Sequence, residues 1–294
     1  GFLNIMSLYI SSNSLIGLAW MSGTAACYAA SYIVMRLLSE AIDIYEITFL
    51  RSVVACLFLG PWILLTRPSA IRVKRWRLYS IRSLVTYMAM VCTIYGVVHV
   101  SVADVTALLL ASPLFTVLFA SIFLGEKVGF RRWLALCAGM SGALMIIRPG
   151  FVEVTFASLA GLAAALGYGI ANAGTKALTN TDHPDAVAFW MYAIIVPISA
   201  IPAFLNWSTP AWDLVPLIVF LGFLTMLSQY CMARAFRAAD TSVVLPAHYL
   251  QMPFAAALAY MVLSQVPSIW VWPGAAIIAG GAYYTVLQEK RRLG

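Results

Sequence analysis

Apolar positions in this chain neither alternate nor recur on one helical face; they continue for about 20 residues at a time, the length that spans a bilayer core as helix. Ten such runs are separated by short polar punctuation. The first five are Leu15–Met35, Tyr45–Leu65, Tyr79–Val97, Val102–Leu124 and Trp133–Ile147. The second five are Phe156–Leu178, Val187–Phe204, Leu214–Ala235, Ser242–Leu263 and Trp270–Leu287. Inside hydrocarbon every backbone polar group needs a partner within the chain, which leaves helices or a closed barrel. Barrel strands alternate with period two, and a run such as Ala107–Leu124 does not. The pattern predicts an all-α polytopic membrane protein with ten transmembrane helices. Pro113, Pro197, Pro246 and Pro253 fall inside runs and predict local kinks. The first ten residues read as a short interfacial segment or as no part of the bundle, and no basic stretch marks a signal peptide.

Composition agrees with that reading. Of 294 residues, 63% are hydrophobic and 10% charged, where a soluble domain carries roughly a quarter charged residues. The net charge of +7 does not point to nucleic acid, because the basic residues sit in short loops as topology signals do. Arg67, Arg72, Lys74, Arg75 and Arg77 follow run two, and Lys127, Arg131 and Arg132 follow run four. Lys176 opens the loop after run six, Arg234 and Arg237 follow run eight, and Lys290, Arg291 and Arg292 lie in the tail. The alternate loops offer only Arg36 and Arg148. This asymmetry predicts even-numbered loops and both termini on the cytoplasmic side of a bacterial inner membrane. Cys27, Cys56, Cys92, Cys137 and Cys231 all lie in runs, with neither a disulfide framework nor metal-ligand spacing.

The two halves echo each other. Ser14-Leu15-Ile16-Gly17-Leu18-Ala19 recurs as Ser158-Leu159-Ala160-Gly161-Leu162-Ala163, and Arg36 with Phe49 recurs as Lys176 with Phe189. Pro113-Leu114 answers Pro253-Phe254, Leu124-Gly125-Glu126 answers Leu263-Ser264-Gln265, and Trp133 with Gly142-Ala143 answers Trp272 with Gly281-Ala282. Five runs per half is an odd number, so the second copy is expected upside down. Inverted repeats of this kind build a midplane site at their interface.

These residues make the chain resemble an EamA-type carrier of the drug/metabolite transporter superfamily. The resemblance rests on Phe49-Leu50-Arg51 with Pro61, Ser112-Pro113-Leu114, Leu124-Gly125-Glu126 and Gly139-x-x-Gly142, and covers about Leu15 to Leu287. It departs where Leu263-Ser264-Gln265 lacks the glycine and the carboxylate. It departs again where Met252, after Gln251, precedes the repeat-two proline in place of the glutamate frequent in such carriers. It implies two five-helix repeats, 15–148 and 156–288, with a segment 1–14, a linker 149–155 and a basic tail 289–294. It also implies a cavity among runs one, three, four, six, eight and nine, with five and ten as packing helices.

Candidate chemistry is sparse. Paired membrane aspartates, a Ser/His pair and a His-Glu-x-x-His motif are all missing from the sequence, so an enzyme is not expected. Every Asp and Glu lies at a run edge or in a loop, which leans toward facilitated or exchange transport; ion coupling would fall to Asp104, Glu46, His99 or His248. Arg51 lies inside run two, either as a fixed positive charge facing a cavity, or as a side chain that snorkels or that pairs with Glu46 or Asp43. Arg82, Thr86 and Thr93 form a polar stripe with Tyr87 beside it, and a stripe on one face points into a bundle. Tyr28 with Tyr32 and Tyr168 with Asn172 have i, i+4 spacing, while His248 and Gln251 stand at i, i+3 before Pro253. These residues, with Ser112 and Gln229, are the candidate substrate contacts, and Pro113 and Pro253 the candidate hinges. For the amides the plainer role is an interhelical hydrogen bond. For His248 it is a bond to a carbonyl freed by Pro253, against pH sensing at the cytoplasmic mouth. Tyr9, Trp62 and Trp76 read as interfacial anchors. Glu126 reads as a helix-end charge among Lys127, Arg131 and Arg132. Gly139-x-x-x-Ala143 and Ala276-x-x-x-Gly280 read as close-packing faces, within the bundle or between two protomers.

The expected protein is a secondary transporter of a small organic metabolite that is zwitterionic, anionic or neutral, and the resemblance implies an amino-acid-like, nucleoside-like or vitamin-like one. It works by alternating access, with no cofactor and no metal; its partners are that solute, the lipid bilayer and a possible second copy, but no nucleic acid. The alternative is a membrane sensor or scaffold subunit that transports nothing.

Overall fold

Length and apolarity make most of the runs continuous helices, and local chemistry sets their ends. The computed structural model describes residues 2–99, 108–147, 156–263 and 269–291. Its longer helices are α1 (Phe2–Leu38), α2 (Ile44–Thr66), α3 (Trp76–His99), α4 (Ser112–Leu124) and α5 (Phe130–Ile147). They continue with α6 (Phe156–Thr179), α7 (Pro184–Leu205), α8 (Val215–Ala238), α9 (Gln251–Leu263) and α10 (Val271–Arg291). Four stretches among the described residues are long and apolar enough by themselves to cross a membrane: Asn13–Met35, Ile44–Thr66, Pro184–Leu205 and Trp212–Ala238. The first helix differs from expectation, because it begins at Phe2 and takes in the segment read as interfacial.

Equivalent ends are capped alike. Asp43 caps α2 by accepting from the Tyr45 N–H at 2.9 Å. His183, 140 positions later, caps α7 through Nδ1, which accepts from the Asp185 N–H at 3.2 Å. Each side chain satisfies an N–H that the first turn leaves without a helical partner.

Runs four and nine are broken. Residues 108–109 are helical, Leu110 and Ala111 form a turn, and α4 then starts with Pro113 at its second position. In the second half a single turn, Thr241–Val244, passes into a 3-10 segment, Leu245–Leu250, before α9 opens with Pro253 in its first turn. Pro113 and Pro253 therefore begin helices rather than kink them, since a proline at the first turn removes an N–H that has no partner there. Pro197 sits inside an unbroken α7. Residues 102–107 of run four, with Asp104, lie outside the described residues, as do the linker, Arg148 and Ser264-Gln265.

Packing repeats between the halves. α1 lies on α8, and α3 lies on α6. Two pairs of helices at equivalent positions also pack on each other, in antiparallel fashion. In α2 and α7, the Phe49 ring meets Phe204 at 5.5 Å while Gly60 lies against Phe189. In α5 and α10, Gly142 lies against Gly274 and Ile278 while Gly281 lies against Ala135. The small-residue face of the bundle is thus Gly139, Gly142 and Gly281; Ala276 and Gly280 face outward.

Two charges sit elsewhere than their loop positions suggested. Lys176 is 7% exposed, and its Nζ donates to the carbonyls of Phe236 and Ala239, both at 2.7 Å, capping the C-terminus of α8. A cation there offsets the negative end of the helix dipole. Gly125 ends α4 with φ 68°, a left-handed turn that glycine adopts without strain. That turn sends Glu126 into the second half, where its carboxylate accepts from the Thr241 N–H at 3.1 Å and from the Thr241 hydroxyl at 2.7 Å. Glu126 is thus a contact between the halves, held by two donors at the start of the Thr241 turn, rather than only a helix-end charge.

Candidate functional site

One cavity of about 180 Å³ lies where the broken runs meet the other helices. It extends from Met35 and Ile44, at the α1–α2 turn, to Thr175, Met232 and His248. Tyr32 is 43% exposed near the first end. Beyond the second end the bundle is closed by polar contacts. Lys176 and Glu126 make the caps described above, and Arg234 pairs with buried Asp185 at 3.0 Å and stacks over Tyr230 at 4.3 Å.

Eleven of the twelve candidate contacts line this cavity: Tyr28, Tyr32, Arg51, Arg82, Thr86, Ser112, Tyr168, Asn172, Gln229, His248 and Gln251. Tyr87 does not. It packs against the cluster of Ala55, Leu59, Ala188 and Ile195 between α2 and α7, because one residue along a helix turns it about 100° from the face of Thr86. Thr93, the far end of the α3 stripe, reaches the cavity and donates to the Tyr168 hydroxyl at 3.5 Å.

The polar lining is partly cross-linked. Gln229 Nε2 donates to the Tyr28 hydroxyl at 2.7 Å, joining α8 to α1. Asn172 Nδ2 donates to Thr116 Oγ1 at 3.5 Å, joining α6 to α4. Both amides therefore hold helices together as well as facing the cavity. His248 makes no bond to a carbonyl freed by Pro253; its Nδ1 is buried with no partner, and its ring meets Tyr28 edge-on at 5.7 Å.

The arginines are the chemically decisive pair. Arg82 is 3% exposed; one Nη donates to the Val187 carbonyl at 3.0 Å, the other lies 3.2 Å from the Met191 sulfur, and Nε has no partner. Arg51 reaches α3, where an Nη lies 3.6 Å from the Met90 sulfur, and its Nε is also unpartnered. Neither residue proposed to pair with Arg51 does so. Asp43 caps α2, and Glu46 accepts from the N–H and hydroxyl of Ser208 at 3.1 and 3.0 Å. Arg51 is not snorkelling, since it lines the cavity rather than an outer face.

Runs two and seven contribute more than the resemblance implied. Thr48 and Arg51 from α2 and Met191 and Tyr192 from α7 are lining residues, and the Tyr192 hydroxyl donates to the Thr225 carbonyl at 3.1 Å. The repeat could have found the α7 pair. An offset of 140, which carries Phe49 to Phe189, also carries Arg51 to Met191, Ser52 to Tyr192, Tyr28 to Tyr168 and Tyr32 to Asn172.

Comparison with known proteins bears on both halves. The model of the EamA-like transporter family matches residues 15–148 and again residues 155–287. A riboflavin transporter of Rhizobium johnstonii is 28% identical over 285 residues, 96% of this chain and 94% of that protein. An S-adenosylmethionine uptake transporter of Rickettsia bellii is 23% identical over 279 residues, 95% of this chain and 96% of that one. A crystal structure at 18% identity shares the fold, with a TM-score of 0.80 over 96% of this chain and 98% of its own. Matched in both halves, this multi-pass membrane protein belongs to the EamA-like transporter family.

Proposed function

We propose that the chain carries a small organic metabolite across a bacterial inner membrane by alternating access, as ten transmembrane helices in two inverted repeats. The observation that carries this reading is the placement of one polar cavity at the breaks of runs four and nine, which occupy equivalent positions in the two halves. Discontinuous helices at a repeat interface are the usual construction of a transporter site. The antiparallel pairing of α2 with α7 and of α5 with α10 supports inversion. The names of the relatives, a riboflavin transporter and an S-adenosylmethionine uptake transporter, support a heterocyclic or amino-acid-bearing solute. Tyr28, Tyr168 and Tyr192 supply ring faces for it, and Ser112, Asn172, Gln229 and Gln251 supply hydrogen bonds. The breaks at Pro113 and Pro253 act as hinges. The cavity opens toward the α1–α2 turn, the external face by the distribution of basic residues, and is closed toward the cytoplasm.

Counterflow in proteoliposomes tests the reading. Vesicles preloaded with an unlabelled solute from a panel of riboflavin, nucleosides, amino acids and S-adenosylmethionine should take up the labelled solute transiently. Arg82→Gln should lower that uptake at least about tenfold, as expected for one lost charge-assisted contact. No uptake of any member by wild-type protein, or full uptake by Arg82→Gln, would defeat it.

A further inference from the structure

The symmetry of the scaffold and the asymmetry of its lining point to the charge of the solute and to its orientation. Tyr28 faces Tyr168 across the repeat and Tyr32 has Asn172 as its counterpart, so the two halves offer matched polar or aromatic positions. Arg51 breaks the match, because its counterpart is Met191, a thioether. Both lining guanidiniums, Arg51 and Arg82, thus belong to the first half and meet one wall, made by α2, α3 and α7. The rest of the polar lining is uncharged in kind: Asn172 from α6, Gln229 from α8, His248 before α9 and Gln251 at its start.

No carboxylate among the described residues answers these charges. Glu46 is committed to Ser208, Asp182 to Tyr79, Asp185 to Arg234 and Glu126 to Thr241, and none of them lines the cavity. The nearest acceptors are a carbonyl and two thioether sulfurs, which leave the Nε of each arginine unsatisfied. A buried cation without a counter-ion is costly, and membrane helices rarely keep one without a task. An arginine fork fits the planar oxygen pair of a carboxylate or the oxygens of a phosphate.

We infer that the cavity binds an organic anion, its carboxylate or phosphate held by Arg51 and Arg82 and its uncharged part among the amide and imidazole groups. This rests on the cavity being the carrier's solute site. It separates the chain from any carrier of a sulfonium or other cation: a positive solute meets two guanidiniums without a counter-ion and finds no acid among the described lining residues, so that lining rejects it as well as failing to attract it.

Benzoate, benzamide and benzamidinium share one ring and differ in charge, which makes them direct probes. Phenylglyoxal modifies guanidiniums, and its rate at Arg51 and Arg82 can be read by peptide mass spectrometry on purified wild-type protein. Millimolar benzoate should slow labelling of both arginines and raise the melting temperature, benzamide should do less, and benzamidinium should do neither. Arg51→Gln and Arg82→Gln should each weaken benzoate binding about tenfold and benzamide binding by much less; Arg82→Lys keeps the charge should the glutamine variant not fold. Equal protection by benzamidinium, no protection by benzoate, or a benzoate preference surviving in both variants overturns the assignment. Anion binding with these properties in a protein that shows no counterflow of any solute would overturn the transport reading and leave the charge assignment standing.

Discussion

At the scale of single residues, much of the bundle turns on where a side chain is absent. A Cβ added at Gly142 would stand 2.7 Å from the Gly274 carbonyl oxygen and 2.9 Å from Ile278, so α5 and α10 could stay in contact only by moving backbone. One at Gly280 would meet nothing within 4 Å. Gly142→Ala should therefore cost about 1–3 kcal/mol by overpacking. Gly280→Ala should be neutral or stabilising by up to about 1 kcal/mol, because alanine is the better helix former. Thermal unfolding of the two variants in one detergent separates them; a Gly142→Ala protein as stable as wild type would mean that the helix pair is not packed at this point. The difference is invisible in the sequence, where Gly139-x-x-x-Ala143 and Ala276-x-x-x-Gly280 look alike. The polar stripe was more legible, since Arg82, Thr86 and Thr93 stand on an apolar helix and their spacing marks a face. Tyr192 carries no such mark in a run that also holds Phe189 and Trp190, and only its repeat relation to Ser52 separates it from a packing aromatic.

At the scale of elements, helix ends decide how the halves are joined, and the motif that ends a helix is legible in the sequence where its contact is not. Leu124-Gly125-Glu126 marks the end of a helix in any reading. Its consequence depends on the direction taken after the φ 68° turn, and this brings Glu126 to Thr241, 115 positions along the chain. No pattern within either segment encodes that meeting. Burial raises the Glu126 carboxyl above the ordinary carboxylate value and Asp240 pushes the same way, while the Thr241 bonds and Lys176 pull it down without cancelling the rise. A carboxyl raised on folding holds its proton in the folded state over a range where the unfolded chain has lost it. Its contribution to stability is full below the unfolded value and is lost as pH rises through the folded value. Wild-type protein should accordingly lose stability with rising pH just above the usual carboxylate range. Glu126→Gln, which cannot titrate, should show a flatter profile there. Melting temperatures at closely spaced pH values check this, and parallel profiles for the two proteins would remove Glu126 as the cause.

At the scale of the whole molecule, the ten runs, the duplication and the membrane setting were legible because each rests on many residues at once. The path of the cavity was not, because it depends on which end of the bundle is closed. At that end Glu126 with Thr241, Tyr79 with Asp182 and Arg67 with His183 run between the halves, whereas Lys176 at the end of α8 and Arg234 with Asp185 join helices of the second half. If solute leaves toward this end, contacts between the halves such as Glu126 with Thr241 must part in each cycle, while those inside the second half can travel with it as a body. A covalent tie across that contact should therefore stop transport without touching the cavity. The test is Glu126→Cys with Thr241→Cys, joined by a short bis-maleimide, in a protein whose exposed Cys137 has been replaced. The tied protein should bind solute with unchanged affinity from the α1–α2 side and show no counterflow, and the same double variant without the linker should retain flux. Flux through the tied protein would mean that the halves do not separate here, and the exit would then have to be sought along another seam of the bundle.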